Sequence, residues 1–581
     1  MSTSSQELIC GIDLGTTNSC IAVIKDGQPE VLTIAGRLTM PSVVACRDGE
    51  WLVGEAAHNH LWVAPEEAVA SIKRKMDDQA YRVQLGGESL SPIDISAKIL
   101  CALAQEAQQQ LQCAVRKVVI TVPAWFQEIQ RQATLAAGRQ AGLDVIQIIN
   151  EPTAAAIAHQ NIPIPEGEEE KWLVYDLGGG TFDVSVLNVT SASYEVLASL
   201  GNTFLGGDDF DHRLAEKFAA HLRDQHNADP YTDKVAKTRL QLLAEQTKVR
   251  LSTATHVDVE EPIVIGEHTY LLDLTVTRED FEQLIDDLVS STEEKAAQAL
   301  SEAGVEAKTL NRLLLVGGST RIPLIADRLE KRFGMEPESW LDPDLSVALG
   351  AGVRGAIACS QYFERSVVDI CPHSLGIAAV GEEDYQSGLN VLDEIDGHPL
   401  TFVPLIRRNS RLPASFVRTF YKADDYQQYV LIAVYQGESS NNLQNTFIGE
   451  FSVELKNQHD RKIDIHFAYD LSGTINISVT EAGSKHPRVY SMDLSRSTDE
   501  NSDLGEFSGQ LLEQDEPFSG NAPEVTNYLV EIVSKRLQQE GEAAPEPMCK
   551  LLEKYQLLLG QNAEDELDEI EDELYDWIES D

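Results

Sequence analysis

Cys10-Gly-Ile-Asp-Leu-Gly-Thr-Thr-Asn-Ser19 and Val174-Tyr-Asp-Leu-Gly-Gly-Gly-Thr-Phe-Asp183 are two versions of one pattern. Each is an apolar strand ending in Asp-Leu-Gly, then a turn of small residues with threonine, then a second apolar strand. One copy says little. Two copies predict a duplicated lobe, with both turns facing one cleft.

Such turns suit phosphate, because glycine lets backbone N–H donors approach an anion closely. Gly15-Thr16-Thr17 and Gly178-Gly179-Gly180-Thr181 supply donors and hydroxyls, and Asp13 and Asp176 precede them, placed to hold a hydrated Mg²⁺. A third glycine pair, in Leu315-Val-Gly-Gly-Ser-Thr-Arg-Ile-Pro323, again follows an apolar strand. A plain tight turn explains any one of the three, but not three fed by apolar strands. The chain has no Gly-Lys dipeptide, which excludes a P-loop.

Around these motifs, residues 1–360 alternate strand-like runs (8–12, 118–122, 172–175, 313–316) with helical spacings. Ile95, Ile99, Leu103, Ala107 and Leu111 mark one helix. Pro123 and Gly142 bracket another, containing Phe126, Ile129 and Ala133. Residues 400–480 read instead as antiparallel β-structure. Ile463, Ile465, Phe467 and Tyr469 alternate with polar positions, as do Ile475, Ile477 and Val479 after a turn. Gly449 marks an expected bulge in the 447–455 strand, and 430–435 reads as a central strand.

Composition bounds the function. The 581 residues are 43% hydrophobic and 24% charged, which fits three to five folded units rather than a disordered chain. With 46 basic and 94 acidic residues the net charge is −48, which argues against nucleic acid and membrane surfaces as partners. Eight scattered cysteines, no C-x-x-C pair, no secretory signal and no membrane-length apolar run predict a soluble, cytoplasmic protein. Residues 499–581 hold 24 acidic and four basic residues, a composition break behind a polar linker near residue 500.

Taken in order, the motifs resemble the seventy-kilodalton heat-shock protein family, the DnaK-type chaperones. They are Gly11-Ile-Asp-Leu-Gly-Thr-Thr-Asn-Ser19, Ile120-Thr-Val-Pro-Ala124, Asn150-Glu-Pro-Thr-Ala-Ala-Ala156 and Asp176-Leu-Gly-Gly-Gly-Thr-Phe-Asp183. Leu205-Gly-Gly-Asp-Asp-Phe-Asp211, Val316-Gly-Gly-Ser-Thr-Arg-Ile-Pro323 and Val403-Pro-Leu-Ile-Arg-Arg-Asn409 continue the series. The resemblance implies a multidomain α/β + β protein. Its parts would be an actin/hexokinase-like duplicated ATPase domain (1–362), a linker (363–371), a β-sandwich peptide-binding domain (372–498) and an acidic linker with a short helical lid (499–581).

The resemblance also implies roles. Lys73, Glu151, Asp176 and Thr181 would carry ATP hydrolysis. Asp13, Glu151, Asp176 and Asp183 would serve Mg²⁺, with K⁺ nearby. ATP or ADP would lie against Gly15, Thr16, Thr17, Asn18, Gly178, Gly179, Gly180, Gly206 and Gly207. Glu245, Lys248 and Ser252 on one helix, with Gly317, Gly318, Ser319, Arg321 and Asp344, would form the nucleoside pocket. An extended client peptide would contact Ile377, Val380, Phe420, Ala423, Val430 and Ile432, although these residues also suit a plain sandwich core. Pro123, Arg131, Val367, Val368 and Asp369 would relay between nucleotide and peptide.

Departures from the family resemble its specialised bacterial HscC-like branch. Arg365 and Ser366 replace the first half of a leucine-rich linker. Gln147 replaces an arginine that pairs with J-domain partners, and the segments near 75–91 and 262–274 are short. A dedicated J-domain co-chaperone rather than a general one is implied, and the site of a general exchange factor is reduced. Residues 382–399 look inserted. Helices are expected at 525–539, 547–559 and 563–578, the last with an apolar stripe that packs within the lid or meets Arg407, Arg408, Arg411 and Arg418. The expected activity is an ATP-dependent, monomeric chaperone that binds unfolded or specific client proteins. The alternatives are a nucleotide-gated scaffold for one dedicated protein and, less in keeping with the β-domain, a small-molecule kinase.

Overall fold

The computed structural model describes residues 8–25, 27–338, 340–358, 365–379, 401–422, 429–455, 462–470, 475–481, 488–492, 550–551 and 554. The chain divides into two compact units, Met1–Leu412 with Phe416–Gly509, and Pro413–Ser415 with Gln510–Asp581. In the second unit, Lys550, Leu551 and Lys554 are helical, within one expected lid helix. The other two expected helices and the 382–399 stretch lie outside the described residues.

The duplication is visible in the sheet topology. In the first lobe, Ile9–Asp13 pairs in parallel with Lys117–Val122 and antiparallel with Asn18–Lys25. In the second, Glu169–Leu177 pairs in parallel with Arg312–Val316 and antiparallel with Phe182–Thr190. Asp13 and Asp176 therefore occupy equivalent places at the ends of equivalent strands. The strands form because their residues are apolar on both faces and both faces are covered: Cys10 and Ile12, and Trp172 through Tyr175, are inaccessible to solvent.

Small residues bring the covering helices close. The helix Ser346–Ala358 is rich in glycine, which is unfavourable in isolation. Packing overrides that: a Cβ on Gly350 would lie 1.7 Å from the Ala154 carbonyl oxygen of helix Glu151–Ala158, and one on Gly11 would lie 2.1 Å from the Gly352 nitrogen. The expected helix after Pro123 runs Glu128–Gln140. Phe126 lies in the turn before it, where the Phe126 N–H donates to the Pro123 carbonyl.

The linker segment Ser366–Val368 adds a parallel strand to the second-lobe sheet, Tyr194 standing opposite Val367. The lost leucines are replaced by a polar clasp. The Arg365 guanidinium donates to the Tyr194 hydroxyl (3.0 Å) and the Ile162 carbonyl (2.8 Å), and lies 5.4 Å from the Tyr194 ring centre.

Beyond it lie two four-stranded sheets. One runs in the order Thr401–Ile406, Leu375–Ala379, Tyr429–Gln436, Thr446–Glu454, and the other Ala414–Tyr421, Lys462–Tyr469, Ile475–Glu481, Arg488–Met492. The alternating residues Ile463, Ile465, Phe467, Ile475, Ile477 and Val479 point into the core as expected. The bulge also appears: Gly449 stands opposite Val434 and Phe447 opposite Tyr435, so Ile448 is extra. Tyr429–Gln436 is internal to its sheet, with Ile432, Val434 and Gln436 buried and Tyr429 and Leu431 exposed.

Candidate active site

A cleft of about 680 Å³ opens between the two lobes. Its lining includes Asp13, Gly15, Thr16, Thr17, Asn18, Lys73, Glu151, Asp176, Gly178, Gly179 and Thr181. Glu245, Lys248, Ser252, Gly317, Gly318, Ser319, Arg321 and Asp344 complete the expected set on its wall. The duplicated turns touch across it, since a Cβ on Gly179 would fall 1.9 Å from Thr17 Oγ1 and one on Gly180 2.5 Å from the Thr16 methyl. Glycine is required where the turns meet.

Four expected residues stand behind the wall. Gly180 backs onto Thr16, and Gly206 and Gly207 brace the second turn, where the Gly207 N–H donates to the Gly178 carbonyl (3.0 Å). Asp183 accepts from the Trp125 N–H at 2.8 Å. Ser252 follows the helix Lys234–Leu251 as its cap rather than lying on it. The sequence reading missed Val249, Thr253, Ile322, Pro343 and Val347, which also line the cleft. Val249 is 61% exposed, and its only sequence cue is its place next to Lys248.

At the floor, Lys73 Nζ lies 2.6 Å from Glu151 Oε1, both side chains less than a tenth exposed. Lys73 comes from the short 3₁₀ turn Ile72–Lys75, and Glu151 opens the helix Glu151–Ala158. Asp13, Asp176 and Asp183 crowd the same pair. Burial, then the Glu151 charge, pushes Asp13 and Asp183 each up to about 7 and Asp176 well above the usual carboxylate range. The Thr121 hydroxyl, donating to Asp13 at 3.0 Å, works in the opposite direction.

Three buried carboxylates and the half-buried Asp13 around one ammonium call for a cation. Asp176 Oδ2 and Thr17 Oγ1 are buried without a hydrogen-bond partner. Among the described residues no three acidic, His or Cys side chains form a preassembled metal cage. An all-oxygen donor set without a cage fits Mg²⁺ that keeps its waters and takes phosphate oxygens as ligands.

A chain of hydrogen bonds leaves the floor. Arg131 donates to Asn150 Oδ1 (2.6 Å) and to the Ala124 carbonyl beside Pro123 (3.1 Å). Asn150, next to Glu151 in sequence, donates to Asp369 of the linker (2.9 Å), as does Thr153 (3.0 Å). Val367 and Val368 are buried in the linker strand beside it. Further contacts tie the β-domain down: Tyr469 OH to Glu128 (2.9 Å), Arg411 to Glu195 (2.5 Å) and Arg408 to Glu302 (2.5 Å). These two arginines, expected as candidates to meet an acidic lid helix, are engaged by the ATPase lobes. Gln147 accepts from Arg354 Nε at 2.9 Å.

The peptide-site residues are only partly assembled into a lining. Ile377 and Ile432 are 4% and 1% exposed and pack in the sandwich core, the other place these residues suit. Phe420 and Val430 are half-buried, and Val380 and Ala423 lie outside the described residues.

A duplicated α/β fold that closes glycine turns over a carboxylate–lysine floor, with a tethered β-sandwich, defines a nucleotide-hydrolysing protein of the actin/hexokinase class. The chain belongs to the Hsp70 family, described as Hsp70 protein, which it matches over residues 9–82 and 74–577. It is similar to the chaperone protein DnaK of Thermotoga petrophila, 38% identical over 567 residues that span 94% of this chain and 91% of the relative. DnaK of Halobacterium salinarum is 38% identical over 486 residues, 83% of this chain and 74% of the relative. DnaK of Thermosipho melanesiensis is 37% identical over 570 residues, 95% and 91% respectively. The protein is thus an ATP-dependent chaperone of the DnaK type: it binds ATP and ADP with Mg²⁺ and hydrolyses ATP. Proteins of this family bind client proteins and work with J-domain co-chaperones. No described helix is long and apolar enough to cross a membrane.

Proposed function

We propose that hydrolysis is carried by Lys73, Glu151, Asp176 and Thr181, and that the Arg131–Asn150–Asp369 chain passes nucleotide state to the peptide site. The observation that carries this reading is the buried Lys73–Glu151 pair among Asp13, Asp176 and Asp183. Phosphoryl transfer needs positioning and charge neutralisation more than covalent chemistry. Lys73 brings a positive charge to the γ-phosphate, Glu151 and Asp176 orient the attacking water, and the 15–17, 178–181 and 317–318 turns hold phosphate and nucleoside. Asp13, Glu151, Asp176 and Asp183 would hold Mg²⁺, which would supply charge neutralisation when bound, and Asp13 and Asp183 would serve K⁺.

Lys73→Ala should cut single-turnover ATP hydrolysis by at least about a hundredfold while ADP still binds. Hydrolysis that survives the substitution contradicts the assignment. We assign the ATPase domain to 1–362, the linker to 363–371, the peptide-binding domain to 372–498 and the acidic linker with its lid to 499–581. We further assign a narrow clientele, a dedicated J-domain co-chaperone, a monomeric state and a cytoplasmic location. Gln147, bonded by Arg354 and standing where the family usually has an arginine that pairs with J-domain partners, supports the dedicated partner, and free thiols at the six described cysteines support a reducing compartment. A general J-domain protein that stimulates the ATPase fully would overturn that partner assignment.

A further inference from the structure

One buried carboxylate behind the wall of the cleft has no part in the hydrolytic group. Asp211 sits one turn into the helix Gly207–His226, 4% exposed. Its Oδ2 lies 2.7 Å from Lys248 Nζ on the neighbouring helix Lys234–Leu251, and Lys248 also donates to the Gly207 carbonyl at 3.1 Å. Asp211 Oδ1 is buried without a hydrogen-bond partner.

An ammonium has three N–H donors in fixed tetrahedral relation. Two of them go to Asp211 and Gly207, so the direction of the third is set. The ammonium also sits at a crowded seam. A Cβ on Gly207 would meet Lys248 Nζ at 2.9 Å and Ser319 Oγ at 2.6 Å, and Ser319 in turn donates to the Gly178 carbonyl at 2.8 Å. The helix start, the second phosphate turn and the Gly318–Arg321 turn all converge there. Burying an ion pair costs desolvation that an apolar pair of similar volume avoids. Here the cost places a positive charge on the wall of the cleft.

We propose that Asp211 is a positioning residue for nucleotide binding: it holds the Lys248 ammonium at the junction of the 178–180 and 317–321 turns, where that ammonium meets oxygen atoms of the bound nucleotide. The inference rests on the reading of Lys248 as part of the nucleoside pocket. Asp211 acts on ATP and ADP alike, because it holds a group common to both complexes and stands apart from the Lys73 floor.

The test is a double-mutant cycle on the full chain, read as the dissociation constant of a fluorescent ADP. Asp211→Asn should weaken ADP binding by roughly tenfold, as loss of a charge-assisted contact does, and raise KM for ATP alike with kcat nearly unchanged. Lys248→Ala should weaken binding too, and adding Asp211→Asn to it should cost nothing further. Should Asp211→Asn fold poorly, Asp211→Ser gives the same comparison. Wild-type ADP affinity in Asp211→Asn, or penalties that simply add, overturns the inference alone. Wild-type affinity in Lys248→Ala overturns the nucleoside-pocket reading and the inference with it. The hydrolytic assignment is tested separately, since ADP binding involves no hydrolysis.

Discussion

Gly350 and Gly11 show how much single residues carry in a duplicated fold whose helices lie directly on its strands. With 1.7 Å between a Gly350 Cβ and the Ala154 carbonyl oxygen, Gly350→Ala must push helix Ser346–Ala358 off helix Glu151–Ala158. The expected cost is about 3 kcal/mol, read as a lower midpoint in denaturant unfolding of the chain; an unchanged midpoint contradicts the packing. The glycines of the phosphate turns were legible because they cluster after apolar strands. Gly350 and Gly11 were not, because the backbone each must admit is far away in sequence. Asp211 was hidden for the same reason: it lies within a quoted motif, but its partner Lys248 is on another helix. Lys73 was legible only through the family resemblance, since three basic residues in five read as a solvated run.

At the scale of elements, the linker strand is the informative piece. Its sequence lacks the family's first leucines, yet Ser366–Val368 is docked on Ser193–Asn202, with Arg365 donating to Tyr194 and Ile162. A periodicity argument counts apolar residues and misses a guanidinium that stacks on tyrosine while it donates to a carbonyl. Arg365→Ala should therefore loosen the strand, raising ATP-state hydrogen exchange at residues 366–368 by about tenfold. Unchanged protection would place the docking energy in Val367 and Val368 alone. The β-sandwich strands were well read from their period-two alternation. The same alternation could not separate core from peptide cleft, which is why Ile377 and Ile432 suit either reading.

For the whole molecule, interdomain docking is the property least visible in sequence, because it joins residues hundreds of positions apart. His373, at the start of the β-domain, faces the ATPase domain there. Its Nε2 bonds the Trp125 carbonyl at 3.0 Å and its ring meets the Trp125 ring edge at 4.3 Å between centres. Burial pushes it down to about 4 against the help of the Trp125 carbonyl; Arg131 and Arg408 add to the lowering, and Glu438 opposes it. Released from the interface, an ordinary histidine titrates near 6.5. The docked state favours the neutral ring, so docking is fully supported above pH 6.5 and is lost progressively as pH falls toward 4. Between pH 7.5 and 5.5 the docking equilibrium should fall by about tenfold through this residue. An interdomain fluorescence-transfer pair would report it, and His373→Leu should abolish that part. Equal pH dependence in both proteins would contradict the assignment.

The charge of −48 belongs at this scale too. It argues against polyanionic surfaces as partners, while the cleft wall itself carries glycine turns together with Lys73, Lys248 and Arg321. What joins that cleft to the sandwich is the chain from Glu151 through Asn150 to Asp369. Its purpose is tested most directly by the dissociation rate of a fluorescent client peptide from the full chain, with saturating ATP and with ADP. Faster release in ATP is the predicted result; identical rates in the two nucleotides would contradict coupled chaperoning.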